Sequence, residues 1–288
     1  MVAFHRPDTL DEALALRASR DVMIVAGATD VYPARTGRLA WGDPTHKDLL
    51  DLTAIAGLDR IEESAQAYRF GCLVTWTDLA RAALPAQFAG YQQAAREIGG
   101  QQVQNRATLV GNICTASPAG DGVPNLLVLD ATVELTSKSG VRHVPIASFI
   151  DGYRHTACRS DEIVTALIVP KLGGARSEFR KLGARKYLVI SIAMVAALIA
   201  LDAEGKLTDV RIAVGACSAI AQRLTALERE LAGTPLARAA ERVTPVHLAA
   251  LKPIDDVRGS AAYRLASALT LVRDTLAGFA ADDLRRVA

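Results

Sequence analysis

The sequence predicts a mixed α/β domain of about 170 residues followed by a smaller α+β domain. Three observations carry this. Up to Pro170, short β-branched runs alternate with segments of helical periodicity. The stretch "KLGGARSE", Lys171 to Glu178, is glycine-rich, charged and aperiodic, which marks a boundary. Beyond it come two long apolar runs around a turn, and then a tail in which apolar residues recur every three or four positions.

Taken in order, Thr9 reads as the N-cap of a helix over "LDEALALRA", with Glu12 three residues on completing a capping box. "VMIVAG", Val22 to Gly27, is a buried strand ended by glycine. A Gly/Pro-punctuated segment follows, and "LLDLT" and "YRFGCLV" read as further strands. "TWTDLARAAL" begins a helix capped by Thr75 or Thr77, and "YQQAAREIG" is a second helix stopped at Gly99-Gly100. "NLLVLDATVELTS" starts helix-like and passes into a strand near Thr132 to Thr136, which "SG" and "VRHVPI" complete as a hairpin. "DEIVTALIVP" is a strand closed by Pro170. In the second domain the strands flank "AEGK", and "RLTALERELAG", "LARAAERVT" and "AAYRLASALTLVRDTLAGFA" are helical.

Composition narrows the function. Thirty-three basic against 31 acidic residues give a net charge of +2, which argues against nucleic acid or an anionic membrane as partner. The N-terminus lacks the apolar core of a secretory signal. The longest apolar run, Tyr187 to Leu201, falls short of the roughly 18 residues that span a bilayer, so no membrane span and a cytoplasmic location are expected. Cys72, Cys114, Cys158 and Cys217 are too widely spaced for a metal or cluster site and read as four separate buried or half-buried residues. His5, His46, His143, His155 and His247 are scattered and mostly expected at the surface, and no nucleophile–base pair is visible. If the protein is an enzyme, a cofactor carries its chemistry.

Two loops suit a phosphate-bearing ligand. In "VAGATD", Val25, Ala26, Gly27, Ala28, Thr29 and Asp30 follow a strand with small side chains that leave backbone N–H groups uncovered. Alone, this is a turn after a strand. In "NRATLVGNICTASPAGD", Thr108, Asn112, Thr115 and Ser117 supply polar groups, Gly111 and Gly120 supply backbone freedom, and Asp121 supplies an acceptor for ribityl or ribose hydroxyls. Its small residues are too many for a packed element, and alone it reads as a structural loop. Together the two favour a dinucleotide or other pyrophosphate ligand. "KLGARK", Lys181 to Lys186, is either a solvated basic run or a positive rim over an anionic ligand.

"VAGATDV", "EIGGQQVQNRATLVGNICTASPAGDGVP", "DEIVTALIVP", "KLGARK" and "PIDDVRGSAAYR" together resemble the FAD-binding medium subunits of the molybdenum hydroxylases, the xanthine dehydrogenase and carbon monoxide dehydrogenase group. The resemblance covers nearly the whole chain in order. It implies a two-subdomain FAD-binding domain of the vanillyl-alcohol-oxidase (PCMH) type over residues 1–172, divided at about 57/58. A C-terminal α+β domain over 178–288 would follow, with a small antiparallel sheet and helices. It implies pyrophosphate contacts from Ala26 to Asp30 and from Thr108 to Asn112, continued by Thr115 and Ser117, with Asp121 on hydroxyls. Main chain near Ile163 and Val164 would meet the flavin or adenine, Lys181 would lie by the isoalloxazine, and Ile98 near its face. "DVRGSAAYR" would be structural.

The family's paired glycines are replaced by Ala28 and Val110. Val110 is expected to keep β-region angles, with Gly111 supplying any unusual conformation and Ala28 being the milder change. The implied role is an electron-transfer subunit that takes electrons from 2Fe-2S clusters on a small partner, beside a large molybdopterin subunit, and passes them through FAD to NAD or a quinone. Arg180, Lys181 and Arg185 would stabilise the reduced anionic flavin. The alternatives are a freestanding FAD oxidoreductase and a scaffold subunit that has lost FAD.

Overall fold

The computed structural model describes residues 2–35 and 47–287; His46 lies outside them. The chain builds three main sheets. Phe4–His5, Asp48–Asp51 and Val22–Val25 form a parallel sheet with Asp48–Asp51 in the middle. Ile61–Glu63, Ala67–Gly71, Ile163–Pro170, Thr132–Ser137 and Gly140–Pro145 form an antiparallel sheet in that order. Arg176–Leu182, Ala193–Leu201, Leu207–Gly215 and Gln222–Arg223 form an antiparallel sheet whose first strand begins within the "KLGGARSE" segment, at Arg176.

The local signals are realised at their caps. Thr9 accepts the N–H of Glu12 at 3.3 Å and starts the helix Leu10–Ser19. Thr75, not Thr77, caps Trp76–Arg81 in a reciprocal box with Asp78. The helix Ala89–Glu97 ends before Gly99, whose φ of 51° turns the chain out of the helix. A short helix, Val31–Arg35, follows the first loop and carries no sequence signal.

The strand "AMVAALIAL" explains the length of the apolar run. Ala193, Val195, Ala197 and Ile199 face a core completed by Leu227, Leu231, Val272 and Leu276, while Met194, Ala196 and Leu198 join the core of the preceding domain. A strand buried on both faces needs apolar residues at every position, so the alternation disappears from the sequence. The preceding "YLVIS" is not strand: Tyr187, Leu188 and Ile190 are exposed, and Leu188 adopts a φ of 52°. The helix Ala89–Glu97 packs directly on Arg176–Leu182. The N–H of Gly90 donates to Ser177 Oγ at 2.8 Å, and that of Phe179 to Gln93 Oε1 at 2.7 Å.

The segment "DVRGSAAYR" is structural here as well. Arg264 is 3% exposed and donates to the carbonyls of Ile192 (2.6 Å) and Ala216 (3.1 Å) and to Asp256 (2.7 Å). The N–H of Arg258 and these guanidinium groups hold the Asp256 carboxyl down at about 2, against its ordinary 3.8. A depressed carboxyl stabilises the fold above its unfolded value and loses that contribution as pH falls from 3.8 toward 2. Acid denaturation of Asp256→Asn followed by circular dichroism is therefore expected to begin from a lower stability and to show a shallower loss across that interval than wild type.

Candidate flavin site

The first loop leaves the strand Val22–Val25 and turns at Ala28, which has φ 61°. The N–H groups of Gly27, Ala28, Thr29 and Asp30 donate to no group among the described residues. The second segment is not a slack loop. Thr108, with φ −103° and ψ 155°, caps a helix over Leu109–Thr115 by accepting the N–H of Gly111 at 2.9 Å. Leu109, Val110 and Ile113 fill the core beneath it, and Ala116 ends it at φ 48°.

This corrects three expectations. Val110 is helical, not extended, and Gly111 has ordinary helical geometry rather than an unusual conformation. The strained position is Ala28, taken from sequence as the milder change. A left-handed alanine costs about 1–2 kcal/mol, which glycine escapes at the cost of greater freedom in the unfolded chain. Ala28→Gly is expected to raise stability in urea by about 0.5–1 kcal/mol.

Gly27 joins the loops. A Cβ built there would stand 1.9 Å from the carbonyl oxygen of Arg106 and 2.8 Å from Ala107 Cα, so only glycine permits this approach. The second segment is itself anchored by Trp76 N–H to Ala107 O and Leu109 N–H to Val74 O, at 3.1 and 3.0 Å. Between the two loops lies a cavity of about 260 Å³, lined by Ala26, Gly27, Thr53, Thr75, Arg106 and Thr108 among others. The Thr53–Ala56 wall was not foreseen, although "DLTAIAGL" repeats the strand-then-glycine pattern of "VAGATD" and ends at Gly57 with φ 86°.

The other expected residues make contacts of their own. Asp30 faces Arg154 at 3.7 Å, and the Arg154 N–H donates to Ala116 O, tying the first loop to the end of the short helix. Asn112 Oδ1 accepts the Gly122 N–H at 3.3 Å, Thr115 Oγ donates to Gly111 O, and Ser117 Oγ accepts the Ala119 N–H. Ile163 and Val164 pair with Thr136 and Leu135 on one side. On the other side, pairing with Ala67–Gly71 ends at Ala166, so their outer main-chain edge lies past the end of the neighbouring strand.

Asp121 and Lys181 meet each other. Lys181 Nζ lies 2.7 Å from Asp121 Oδ2, Ser191 Oγ donates to Oδ1 at 2.7 Å, and both charged side chains are buried. Burial pushes the Asp121 carboxyl up, and Lys181 and Ser191 pull it back. Lys181 also donates to the carbonyls of Glu97 (3.3 Å) and Val189 (3.4 Å). Ile98 caps the helix Ala89–Glu97 next to this cluster.

The expected basic rim is thereby dispersed. Lys181 is buried, Arg180 turns to Glu178 at 2.6 Å beneath Gly278, and Arg185 donates to Leu188 O. Asp121, expected to be free for hydroxyls, already has both oxygens engaged by protein. Ser191 carries no sequence signal for that role. The cysteines also differ from expectation at one position: Cys72 and Cys217 are buried and Cys158 is intermediate, but Cys114 is exposed. The described histidines each face a carboxylate: His5 with Asp48, His143 with Glu134, His155 with Asp151, His247 with Glu230. Among the described residues, no group of three or more His, Cys, Asp or Glu could hold a metal, and no helix is long and apolar enough to cross a membrane.

Uncovered N–H groups on one loop, a capped helix start on the other, and a glycine contact between them fit the pyrophosphate of a dinucleotide. Fold and site together define a flavoprotein. Residues 1–172 match the family model for the FAD-binding domain in molybdopterin dehydrogenase, and residues 177–278 that for the CO dehydrogenase flavoprotein C-terminal domain. The chain belongs to the FAD-binding medium subunits of the molybdenum hydroxylases, of the xanthine and CO dehydrogenase type; its cofactor is FAD and it is an oxidoreductase subunit.

It is 31% identical over 280 residues to the nicotine 6-hydroxylase medium subunit of Paenarthrobacter nicotinovorans, covering 96% of each chain. It is 32% identical over 241 residues to the nicotinate dehydrogenase FAD-subunit of Eubacterium barkeri, covering 81% of this chain and 80% of that one. Among solved structures, reconstituted CO dehydrogenase from Oligotropha carboxidovorans superposes with a TM-score of 0.88 at 25% identity, over 96% of both chains.

Proposed function

We propose that this chain is the electron-transfer subunit of a cytoplasmic molybdenum hydroxylase complex. A large molybdopterin subunit oxidises the substrate, a small subunit carries 2Fe-2S clusters, and FAD on this chain passes the electrons to an external acceptor, NAD or a quinone. The observation that carries the reading is the Gly27–Arg106 approach, which sets the uncovered N–H groups of the first loop beside the second segment over one cavity. The names of the relatives, a medium subunit and an FAD-subunit, support the partnership.

In this reading the domain of residues 1–172, divided near 57/58, holds the cofactor against the domain of 178–288. Val25 to Asp30, with Thr108, Val110, Gly111 and Asn112, hold the pyrophosphate, chiefly through the uncovered N–H groups of Gly27 to Asp30, while Thr115 and Ser117 extend that surface. Ile163 and Val164 offer main chain to a ring system. Ile98, Asp121 and Lys181 border the isoalloxazine and ribityl. The flavin supplies the redox chemistry when bound, and this chain binds it, orients it and sets the charge around it.

Loss of the family's glycines at Ala28 and Val110 would favour the scaffold alternative. Val110 no longer supports it, because a helical valine is unstrained. The purified chain, incubated with FAD and desalted, is expected to be yellow with flavin absorbance near one equivalent. Colourless protein would overturn the reading. Co-purification with a molybdenum subunit separates the complex from a freestanding oxidoreductase, which should instead be reduced by a small substrate without partners.

A further inference from the structure

A cavity larger than the one between the flavin loops lies at the junction of the two domains. Its volume is about 390 Å³. It opens between Pro85–Gln87, which lead into the helix Ala89–Glu97, and the segment Lys171–Arg176, with Tyr68 beside both. It shares no lining residue with the cavity beside Gly27. The strand Ile163–Pro170 separates this cleft from the flavin site: Val164 stands at the flavin end, and Pro170, paired with Ala67, at the other. The distance along that strand is ~20 Å.

The two walls of the cleft are fixed to each other. Gln87 is 3% exposed, donates from Nε2 to Pro170 O at 2.9 Å and accepts the Leu172 N–H on Oε1 at 2.8 Å. Its own carbonyl accepts from Ser177 Oγ at 2.7 Å. A ligand therefore meets walls already in place, which removes an ordering cost from binding. The N–H groups of Gly173 and Gly174 donate to no group among the described residues, and a Cβ built on either glycine meets nothing within 4 Å. Tyr68, Pro85, Ala86, Leu172 and Ala175 supply apolar surface.

Charge selects the ligand. The lining holds two cations, Lys171 and Arg176, and no carboxylate. Arg176 is committed to protein, through Nη1 to Asp283 at 3.0 Å and Nη2 to the Phe279 carbonyl at 3.4 Å. Lys171 is committed only in part. Its Nζ donates to Glu63 at 2.6 Å and lies 5.3 Å from the centre of the Tyr68 ring, and its side chain is 34% exposed. An ammonium has three donors, so two remain for a ligand. Together with the glycine N–H groups they complement an anionic head. The volume falls in the range of about 300–1,000 Å³ typical of small-molecule sites, which pair an apolar lining with a few polar groups. Bare glycine backbone on one wall and the short side chains of Pro85 and Ala86 on the other favour a flat body.

We propose that this cleft is a second ligand site, separate from the flavin cradle, for a small aromatic carboxylate. The carboxylate sits on Lys171 and the N–H groups of Gly173 and Gly174, and the ring lies against Tyr68, Pro85 and Leu172. Because Tyr68 and Gln87 come from the first domain and Arg176 opens the first strand of the second, the ligand bridges the junction between them.

The test uses the full chain, isotope-labelled for NMR, with and without FAD, and benzoate as the probe. Benzoate is expected to shift the amide resonances of Gly173 and Gly174 saturably and with the same affinity in both forms. Benzamide, alike in shape but uncharged, should bind about tenfold more weakly or worse. Lys171→Met should weaken benzoate by about tenfold and leave benzamide unchanged. Its pair with Glu63 is partly exposed and contributes little to the fold. Ala86→Trp, at an exposed lining position, should block both ligands. The inference is overturned by the absence of a saturable shift at the two glycines, by equal affinity for benzoate and benzamide, or by unchanged benzoate binding in Lys171→Met. Competition between benzoate and FAD would place the probe in the flavin cradle and overturn it as well.

Discussion

Gly27→Ala is expected to weaken FAD binding by ~100-fold or more, about 2.8 kcal/mol at 1.4 kcal/mol per tenfold. The new Cβ would stand 1.9 Å from the Arg106 carbonyl oxygen, 2.6 Å from its carbon and 2.8 Å from Ala107 Cα. All three are backbone atoms, so no rotamer change relieves the clash. An ordinary contact begins near 3.4 Å, so the two loops must part by roughly 1.5 Å. Neither loop can move alone. The first is bounded by the strand Val22–Val25, and the second is pinned through Trp76 N–H and Leu109 N–H. Overpacking of this kind costs about 1–3 kcal/mol of stability, and displacement of the N–H groups from a common ligand costs affinity in addition. Gly173→Ala is the control, since a Cβ there meets nothing within 4 Å. Flavin titration by fluorescence quenching separates the two effects from a urea melt. Equal FAD affinity in Gly27→Ala and wild type would remove the first loop from the binding site.

The contrast between Gly27 and Val110 shows what the sequence could and could not reveal. Strands and caps were legible because each depends on neighbours a few residues away: Thr9 with Glu12, Thr75 with Asp78, Gly99 at the end of its helix. The two loops were legible as small-residue segments, and the resemblance supplied their partnership. The helix Leu109–Thr115 was not read, because its few apolar residues, Leu109, Val110 and Ile113, sit among small ones that resemble a loop. The left-handed turn falls at Ala28 and not at Gly111, where the sequence points, because side-chain identity is visible in a sequence and backbone φ is not. Lys181 looked like part of a basic rim because strand alternation sends Arg180 and Lys181 to opposite faces, and only the fold brings Asp121, 60 residues earlier, against one of them. Contacts over such separations leave no local mark.

Lys181→Met is expected to destabilise the chain by about 3–5 kcal/mol near neutral pH, the cost of leaving a buried carboxylate without its counter-charge. The side chains of Lys181 and Asp121 are 5% and 6% exposed, so solvent screens them little. Without Lys181, Ser191 alone opposes the burial that already pushes the Asp121 carboxyl up. A carboxyl whose folded value lies above its unfolded 3.8 binds its proton more tightly when folded. Stability then falls as pH rises through that folded value and is recovered below the unfolded one. The urea midpoint of Lys181→Met should therefore approach that of wild type near pH 4 and fall away toward pH 8. Asp121→Asn alone strands the ammonium instead and should show no such recovery in acid. The double variant Lys181→Met/Asp121→Leu removes both charges and should be less destabilised than the sum of its single changes, because neither partner is left buried alone. A Lys181→Met deficit equal at pH 4 and pH 8, or additivity in the double variant, would show that the pair is not the buried ionic lock between Asp121 and the strand Arg176–Leu182. The pair also bears on the cofactor. Because all three donors of Lys181 are committed to protein, any hydrogen bond it makes to flavin must displace Asp121 or a carbonyl, so FAD binding and the closure of this lock are expected to compete in the pH dependence of flavin affinity.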